Sequence, residues 1–496
     1  MRNSGILMHI SSLPGPEGIG TLGREAVEFV DFLAASGMNR WQVLPVGPTG
    51  YGESPYQSYS SFAGNVLFIS LEELQKDGLL ELKKKDTFSG SNRDHVDFER
   101  LIPWKEALLR KSCKASYDRV STEVDAFVRI HPWVMDYALF MAAKKHFGGL
   151  PWSSWPDKGL RTRTDAALKK YESLLQEDVR YHLYTQYLFR KQWDALKRYA
   201  NERGILLFGD MPIYVAEDSA DTWTHPKVFQ LNQRGIPKRV AGVPPDFFSE
   251  DGQLWGNPLY DWKYLSDTGY QWWIDRMRGA TELFDLIRID HFIGFANYFS
   301  IPYGALNARG GKWVVGPGRE LFEALRKSLP QLNIVAEDLG CVNDRVRKLL
   351  NWCGYPGMKV LSFGFGGDES SEHLPAQYTK NMVAYTGTHD NDTVRGMLAA
   401  DRKALAKSKK WLGYRRITEG PWVFIRAIMA SCADTAMVPM QDILGLNSAA
   451  RMNRPGTVGG NWKWRMKRGA ATQALAEKLD KLNRETHRGR HHEREQ

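Results

Sequence analysis

Cysteine is scarce, with four residues (Cys113, Cys341, Cys353 and Cys432) in a chain of 496. None of them forms a Cys-x-x-Cys pair, which excludes a disulfide-stapled scaffold and a thiolate zinc site and points to a reducing compartment. No stretch reaches the roughly 18 consecutive apolar residues of a membrane span. The opening MRNSGILMHISSLPGPEG has only four apolar residues before His9, short of a signal-peptide core, so a cytoplasmic protein without a membrane partner is expected. His-x-His pairs near the early strand-like runs are also missing, and His9 stands alone; no metal and no cofactor are expected. Internal repeats and low-complexity linkers are absent too, which favours one domain over 1–496. The net charge is +10, but from Arg465 onward nine Lys/Arg meet five Asp/Glu, so +4 of it belongs to the tail. The last residues, THRGRHHEREQ, mix both signs without an aromatic platform. That pattern argues against a nucleic-acid partner and for a solvated, flexible segment over 484–496.

What the chain does have is an ordinary globular composition, 43% hydrophobic and 25% charged. Eight short apolar runs recur, each leading into Gly, Pro, Asp or His: 4–11, 40–46, 205–212, 286–291, 333–338, 357–364, 381–390 and 436–444. Most follow a helix-like segment, as GREAVEFVDFLAASG (23–37) precedes the second. Continuous apolar strands alternating with helices imply parallel strands buried on both faces, and eight of them imply an α/β fold, a (β/α)8 TIM barrel. The second and third runs lie too far apart for one crossover. A mostly helical insertion is expected over 72–170, and a loop-rich one over 214–270 after the third strand. About 50 residues follow the eighth run, too few for a C-terminal β-sandwich.

Barrel enzymes carry their chemistry at the C-terminal strand ends. In LIRIDHFIGF (286–295), alternation places Arg288 and Asp290 on the inward face and Ile287 and Ile289 on the outward one. An Arg beside an Asp favours the ionised carboxylate and lowers its pKa. Alone, such a pair serves packing as readily as catalysis. Asp210 ends ILLFGDMP, Glu337 and Asp338 end NIVAED, and His389 and Asp390 end NMVAYTGTHD in the same manner. Acids converging on one mouth push their pKa values apart, which makes an acid and a base from one residue type. Paired carboxylates with separated roles fit glycosidic-bond chemistry: Asp290 as an ionised nucleophile, Glu337 as proton donor, Asp390 as transition-state stabiliser. A glucan ring also needs aromatic and polar platforms. The segments YGESPYQSYSSFAGN (51–65), GVPPDFFSEDGQLWGNPLYDW (242–262) and RPGTVGGNWKWR (454–465) offer them.

Together these motifs resemble the amylomaltase family of 4-α-glucanotransferases, glycoside hydrolase family 77. The likeness runs from SSLPGPEGIGTLG and SPYQSYSSFAGN through GDMPIYV, QLWGNPLY, IRIDHF, IVAEDLG and GTHDNDT to MNRPGTVGGNW. It implies a retaining transfer of α-1,4-glucan segments, with maltooligosaccharides as donors and glucose or maltose as acceptors, through Asp290, Glu337 and Asp390. It further implies that Arg288 holds the nucleophile and that Asp210, His291 and His389 contact the reacting sugar. Tyr56 and Tyr59 would bind beside that sugar, Trp255 and Asn257 would belong to a closing loop, and Asn461 would bind substrate. An α-1,4-glucan hydrolase, a non-catalytic glucan-binding barrel and a metal-dependent barrel hydrolase are the rival readings. The sequence does not address the oligomeric state.

Overall fold

The computed structural model describes residues 2–90, 94–245, 249–340 and 342–489. In chain order the strands are β1 (Asn3–Leu7), β2 (Arg40–Gln42), β3 (Leu206–Pro212), β4 (Arg239–Val243), β5 (Gln253–Pro258), β6 (Leu286–Asp290), β7 (Asn297–Pro302), β8 (Lys312–Val315), β9 (Ile334–Ala336), β10 (Gly357–Val360), β11 (Met382–Tyr385) and β12 (Thr435–Pro439). Each of the eight apolar runs becomes one strand of a parallel sheet ordered β10-β11-β12-β1-β2-β3-β6-β9. Across the remaining seam, the Ala336 N–H donates to the Pro356 carbonyl at 2.9 Å, which closes the ring as a (β/α)8 barrel.

Alternate residues fill the interior. Phe208, Val335, Met358, Val360, Val383, Tyr385 and Met437 form one buried cluster below the strand ends, so the barrel is a packed core. Its apolar layers give the polar residues above them a rigid floor. The β3–β6 register sets Phe208 beside Leu286, Asp210 beside Arg288 and Pro212 beside Asp290. Two inward-facing charges are therefore neighbours by register, while Ile287 and Ile289 join the outer core beneath the helices.

Between β2 and β3 the chain forms the helices Leu71–Lys76, Phe98–Ser116, Ser121–Ile130, Trp133–His146, Lys158–Arg161 and Asp165–Leu174. The long helix Gln176–Glu202 then returns the chain to β3. The segment 214–270 carries two strands among its loops. It contributes β4 and β5, which pair with each other and, through β4, with β7, making a separate antiparallel sheet ordered β5-β4-β7-β8. Glycine and proline hide these strands from a propensity reading. Gly242 sits where β5 bulges against β4, and a Cβ there would lie 2.1 Å from the Gln253 carbonyl oxygen.

The expectation of a free tail from 484 needs correction as far as Gly489. The helix Gln473–Glu485 docks through Asn483, which accepts from Ser4 Oγ at 2.6 Å and donates to the Ser36 carbonyl at 2.8 Å. Arg488 is fully buried and donates to the carbonyls of Met429 (2.6 Å), Ser431 (2.9 Å) and Asn3 (3.1 Å). A guanidinium that composition marks as solvated instead satisfies carbonyls left open where the helix Gly420–Ala430 ends. Residues 490–496 lie outside the described residues. Among the described residues no helix is long and apolar enough to cross a membrane.

Candidate active site

Arg288 is the hub of the strand-end site. One guanidinium nitrogen, Nη1, lies 2.7 Å from both carboxylate oxygens of Asp210, and Nη2 lies 2.8 Å from Asp290 Oδ1. Tyr56 completes the cluster by donating its hydroxyl to Asp210 Oδ2 at 2.7 Å. The side chain of Asp210 has no exposed surface, whereas that of Asp290 is 29% exposed. Asp210 is therefore enclosed by Arg288 and Tyr56, with both carboxylate oxygens already engaged. Asp290 is the carboxylate of this cluster that faces the opening.

Burial raises the Asp290 pKa to about 6 against the pull of Arg288, with Asp210 and Asp390 adding repulsion. The lowering expected from the Arg288 pair alone is outweighed by burial, to which the charge of Asp210 on the same guanidinium adds. Glu337, the first residue beyond β9, is pushed to about 8, first by burial and then by the charge of Asp290. Arg288 and two backbone N–H groups oppose that rise. Those donors are His291 N–H to Oε2 at 2.7 Å and Leu339 N–H to Oε1 at 2.8 Å. Near pH 7, Asp290 is mostly ionised and Glu337 mostly protonated, the separation that acid and nucleophile require. Asp338 is turned away by strand alternation and accepts from the Met358 N–H at 2.7 Å, which braces β10.

His291 adopts a left-handed backbone (φ 54°, ψ 46°), unusual for a residue with a side chain. That conformation delivers its N–H to Glu337 and sets its ring edge-on to Trp255 at 4.8 Å. Its Nε2 is buried without a hydrogen-bond partner, and burial lowers its pKa to about 4, so the ring is neutral. A neutral imidazole with an open nitrogen suits a sugar hydroxyl.

Asp390 stands on a turn five residues past β11, where strand parity has no say. The turn is tied by Asn391, whose Oδ1 accepts from the Thr388 N–H (2.8 Å) and hydroxyl (2.9 Å). Asn453 Nδ2 donates to Asp390 Oδ1 at 2.6 Å, and Arg451 Nη2 donates to the Asp390 carbonyl at 2.7 Å. His389 stacks on Tyr56 with ring centres 5.1 Å apart, and its Nε2 is 3.4 Å from Asp390. Asn453 and Trp462 were missed as site residues although both lie in the MNRPGTVGGNW stretch. Trp462, left-handed at φ 63°, packs on Tyr56 and His389 at 5.7 and 6.0 Å.

Three expected binding residues make their contacts with groups other than the carboxylates. Tyr59 packs toward the helical insertion, 6.5 Å from Phe140 and 5.1 Å from Lys144 Nζ. Asn257 is buried and ties β5 to the Val215 carbonyl at 2.8 Å. Asn461 closes its own loop by accepting from the Arg454 N–H at 3.0 Å and donating to Thr457 at 3.1 Å. In the 242–262 segment, residues 246–248 lie outside the described residues.

Residues 8–472 match a family model described as glycoside hydrolase family 77, 4-alpha-glucanotransferase. A 4-alpha-glucanotransferase of Clostridium butyricum is 44% identical over 486 residues, 96% of this chain and 99% of that one. One of Thermus thermophilus is 44% identical over 504 residues, 97% and 99% of the two chains. Among solved structures, an amylomaltase from Streptococcus agalactiae in complex with acarbose superposes with a TM-score of 0.95 at 41% identity, covering 99% of this chain and all of that one.

Proposed function

The chain belongs to the 4-alpha-glucanotransferase family, and we propose that its reaction is a double displacement carried by Asp290 and Glu337. The enzyme transfers α-1,4-glucan segments between maltooligosaccharides. In the first step Glu337 gives its proton to the glycosidic oxygen while an Asp290 carboxylate oxygen attacks the anomeric carbon. The anomeric C–O bond breaks and the leaving glucan departs as an alcohol. In the second step the 4-hydroxyl of glucose, maltose or a longer acceptor passes its proton to the Glu337 carboxylate and attacks the same carbon, which frees Asp290. The observation that carries this reading is the strand-end geometry, with Asp290 facing the opening at 2.8 Å from Arg288 and Glu337 held by the His291 and Leu339 N–H groups, where burial raises Glu337 above Asp290.

Arg288, with Asp210 and Tyr56 behind it, holds Asp290 in line. Asp390, held by Asn453 and flanked by His389, binds the reacting sugar as its ring flattens, and His291 offers its open nitrogen to a hydroxyl. Trp255 on β5 and Tyr59 backed by the 72–170 helices frame the glucan path, with the 214–270 insertion as the wall that closes over it. Asn257 and Asn461 serve by holding the elements that line this path. We place the enzyme in the cytoplasm, a reading supported by the free thiols of Cys113, Cys353 and Cys432.

Incubation with maltotriose tests the reaction. Glucose together with a ladder of longer maltooligosaccharides is expected; steadily rising reducing ends without longer products would assign hydrolysis instead. Asp290→Asn should leave the fold intact and abolish turnover. A variant that keeps parental activity would remove Asp290 from the nucleophile's place.

A further inference from the structure

Behind the Asp390 turn lies a small cavity that the reaction above leaves unused. It has about 30 Å³ open to the centre of a water molecule and is lined by His9, Ser12, Thr388, His389, Asp392 and Arg451, among others. That is room for one or two waters. His9 stands two residues past β1, whose next residue, Met8, is anchored by its N–H on the Gln42 carbonyl at 2.9 Å. The His9 ring packs edge-on against Phe68 at 5.4 Å, so it cannot swing freely. It is 7% exposed, and its Nδ1 is fully buried with no hydrogen-bond partner. Burial drives its pKa down to about 3, which keeps the ring neutral with one donor and one acceptor nitrogen. Phenylalanine would fill this place among Leu44, Phe68 and Met452 without the cost of an unpaired nitrogen.

We propose that His9 is a positioning residue for the glucan-transfer reaction: its Nδ1 holds water in this cavity, and that water braces the Thr388–Asp392 turn from behind. The turn is gripped in front by Asn453 and Arg451. At the back, Thr388 and Asp392 line the cavity with His9 and supply oxygen partners for a water. His389 both stacks on Tyr56 and lines the cavity. Losing the water leaves the ground-state sugar contacts in place but lets the Asp390 carboxylate drift when charge develops at the anomeric carbon. The effect therefore falls on kcat rather than on KM. This inference rests on the role given to Asp390 above.

The test compares His9→Phe with His9→Asn in maltotriose disproportionation. The phenyl ring keeps the packing against Phe68 and removes the nitrogens; the asparagine amide keeps polar atoms near the position of Nδ1. His9→Phe is expected to lose about tenfold in kcat with KM within twofold of the parent, and His9→Asn to recover most of it. Equal kcat for His9→Phe and the parent, or an Asn variant as slow as the Phe variant, would overturn the proposal. A crystal structure of the parent enzyme gives a check that does not depend on either variant folding. Density for water within hydrogen-bond distance of His9 Nδ1 supports the proposal, and an empty cavity refutes it. Asp390→Ala, assayed alongside, separates the two readings. If it retains activity, the role of Asp390 falls and this one with it; if it is dead while His9→Phe is unaffected, only the role of His9 falls.

Discussion

Replacing Glu337 by Gln should do two opposite things at once: remove catalysis and add stability, with the added stability growing with pH. In the folded enzyme, burial raises Glu337 from the ordinary value of 4.5 to about 8. The unfolded chain thus releases this proton near 4.5, while the folded enzyme keeps it until about 8. Because the folded value is the higher one, the contribution of Glu337 to stability is fully present below pH 4.5. It is lost as pH rises to 8 and is constant beyond. Each pH unit in that window is worth about 1.4 kcal/mol, so the parent carries an upper bound of roughly 5 kcal/mol of destabilisation at pH 8 that Glu337→Gln does not. At pH 5 the difference is below about 1 kcal/mol by the same reckoning. The new amide turns its NH2 toward one of the two backbone donors, His291 N–H or Leu339 N–H, and that lost bond costs about 1 kcal/mol at every pH. The diagnostic is therefore the slope with pH and not the offset. For 496 residues the unfolding entropy is about 1 kcal/mol/K, so each kcal/mol moves Tm by about 1 °C. Thermal scans of both proteins from pH 5 to pH 9 should show the variant's relative Tm climbing by about 4 °C up to pH 8 and then levelling. Its turnover of maltotriose should be about 10²- to 10⁴-fold lower, the range for removing a general acid. A Tm difference that stays flat across this range would refute the claim that Glu337 folds as the protonated acid.

Two further outcomes follow from the contacts around the site. Asn453→Ala removes the 2.6 Å donor to Asp390 Oδ1, and kcat for maltotriose should fall about tenfold or more, the value of a hydrogen bond to a charged group; unchanged kcat would mean that Asp390 is placed by its own turn. Arg488→Met removes one donor each from the carbonyls of Met429, Ser431 and Asn3 at the docked C-terminus, of which Met429 and Ser431 keep Arg2, and denaturant unfolding should show a loss of about 1–2 kcal/mol with the activity of the folded enzyme preserved.

The contrast between Asp290 and Asp390 marks how far the linear reading reached. Arg288 and Asp290 were legible because strand alternation is a local rule, and the apolar residues between them declare which face is which. Asp390 lies beyond the reach of that rule. It enters the site on a turn whose geometry depends on Asn391 beside it and on Asn453 and Arg451, about 60 positions away in the chain. Trp462 and Asn453 were visible only as members of a quoted motif, since nothing near them in sequence reveals that they close on Tyr56 and Asp390. The same limit applies to Asp210. Its residue type and its place at a strand end suggested a sugar contact, but only the β3–β6 register reveals that its buried carboxylate is paired with Arg288.

Eight apolar runs with turn residues behind them were enough to imply the barrel, because burial on both faces demands that composition whatever the neighbouring strands are. The carboxylates at the strand ends, and the motifs around them, were likewise sufficient to suggest glucan transfer. Protonation was beyond their reach: Arg288 beside Asp290 argues for a lowered pKa, yet burial, with the charges of Asp210 and Asp390 added, raises it to about 6, with Glu337 at about 8. Burial and charge sharing are sums over residues from distant parts of the chain. They exist only once β3, β6 and β9 stand side by side; in the same way Arg488 is buried only once the C-terminal helix docks beside Asn3 and Met429, and Asp210 only once Arg288 stands next to it.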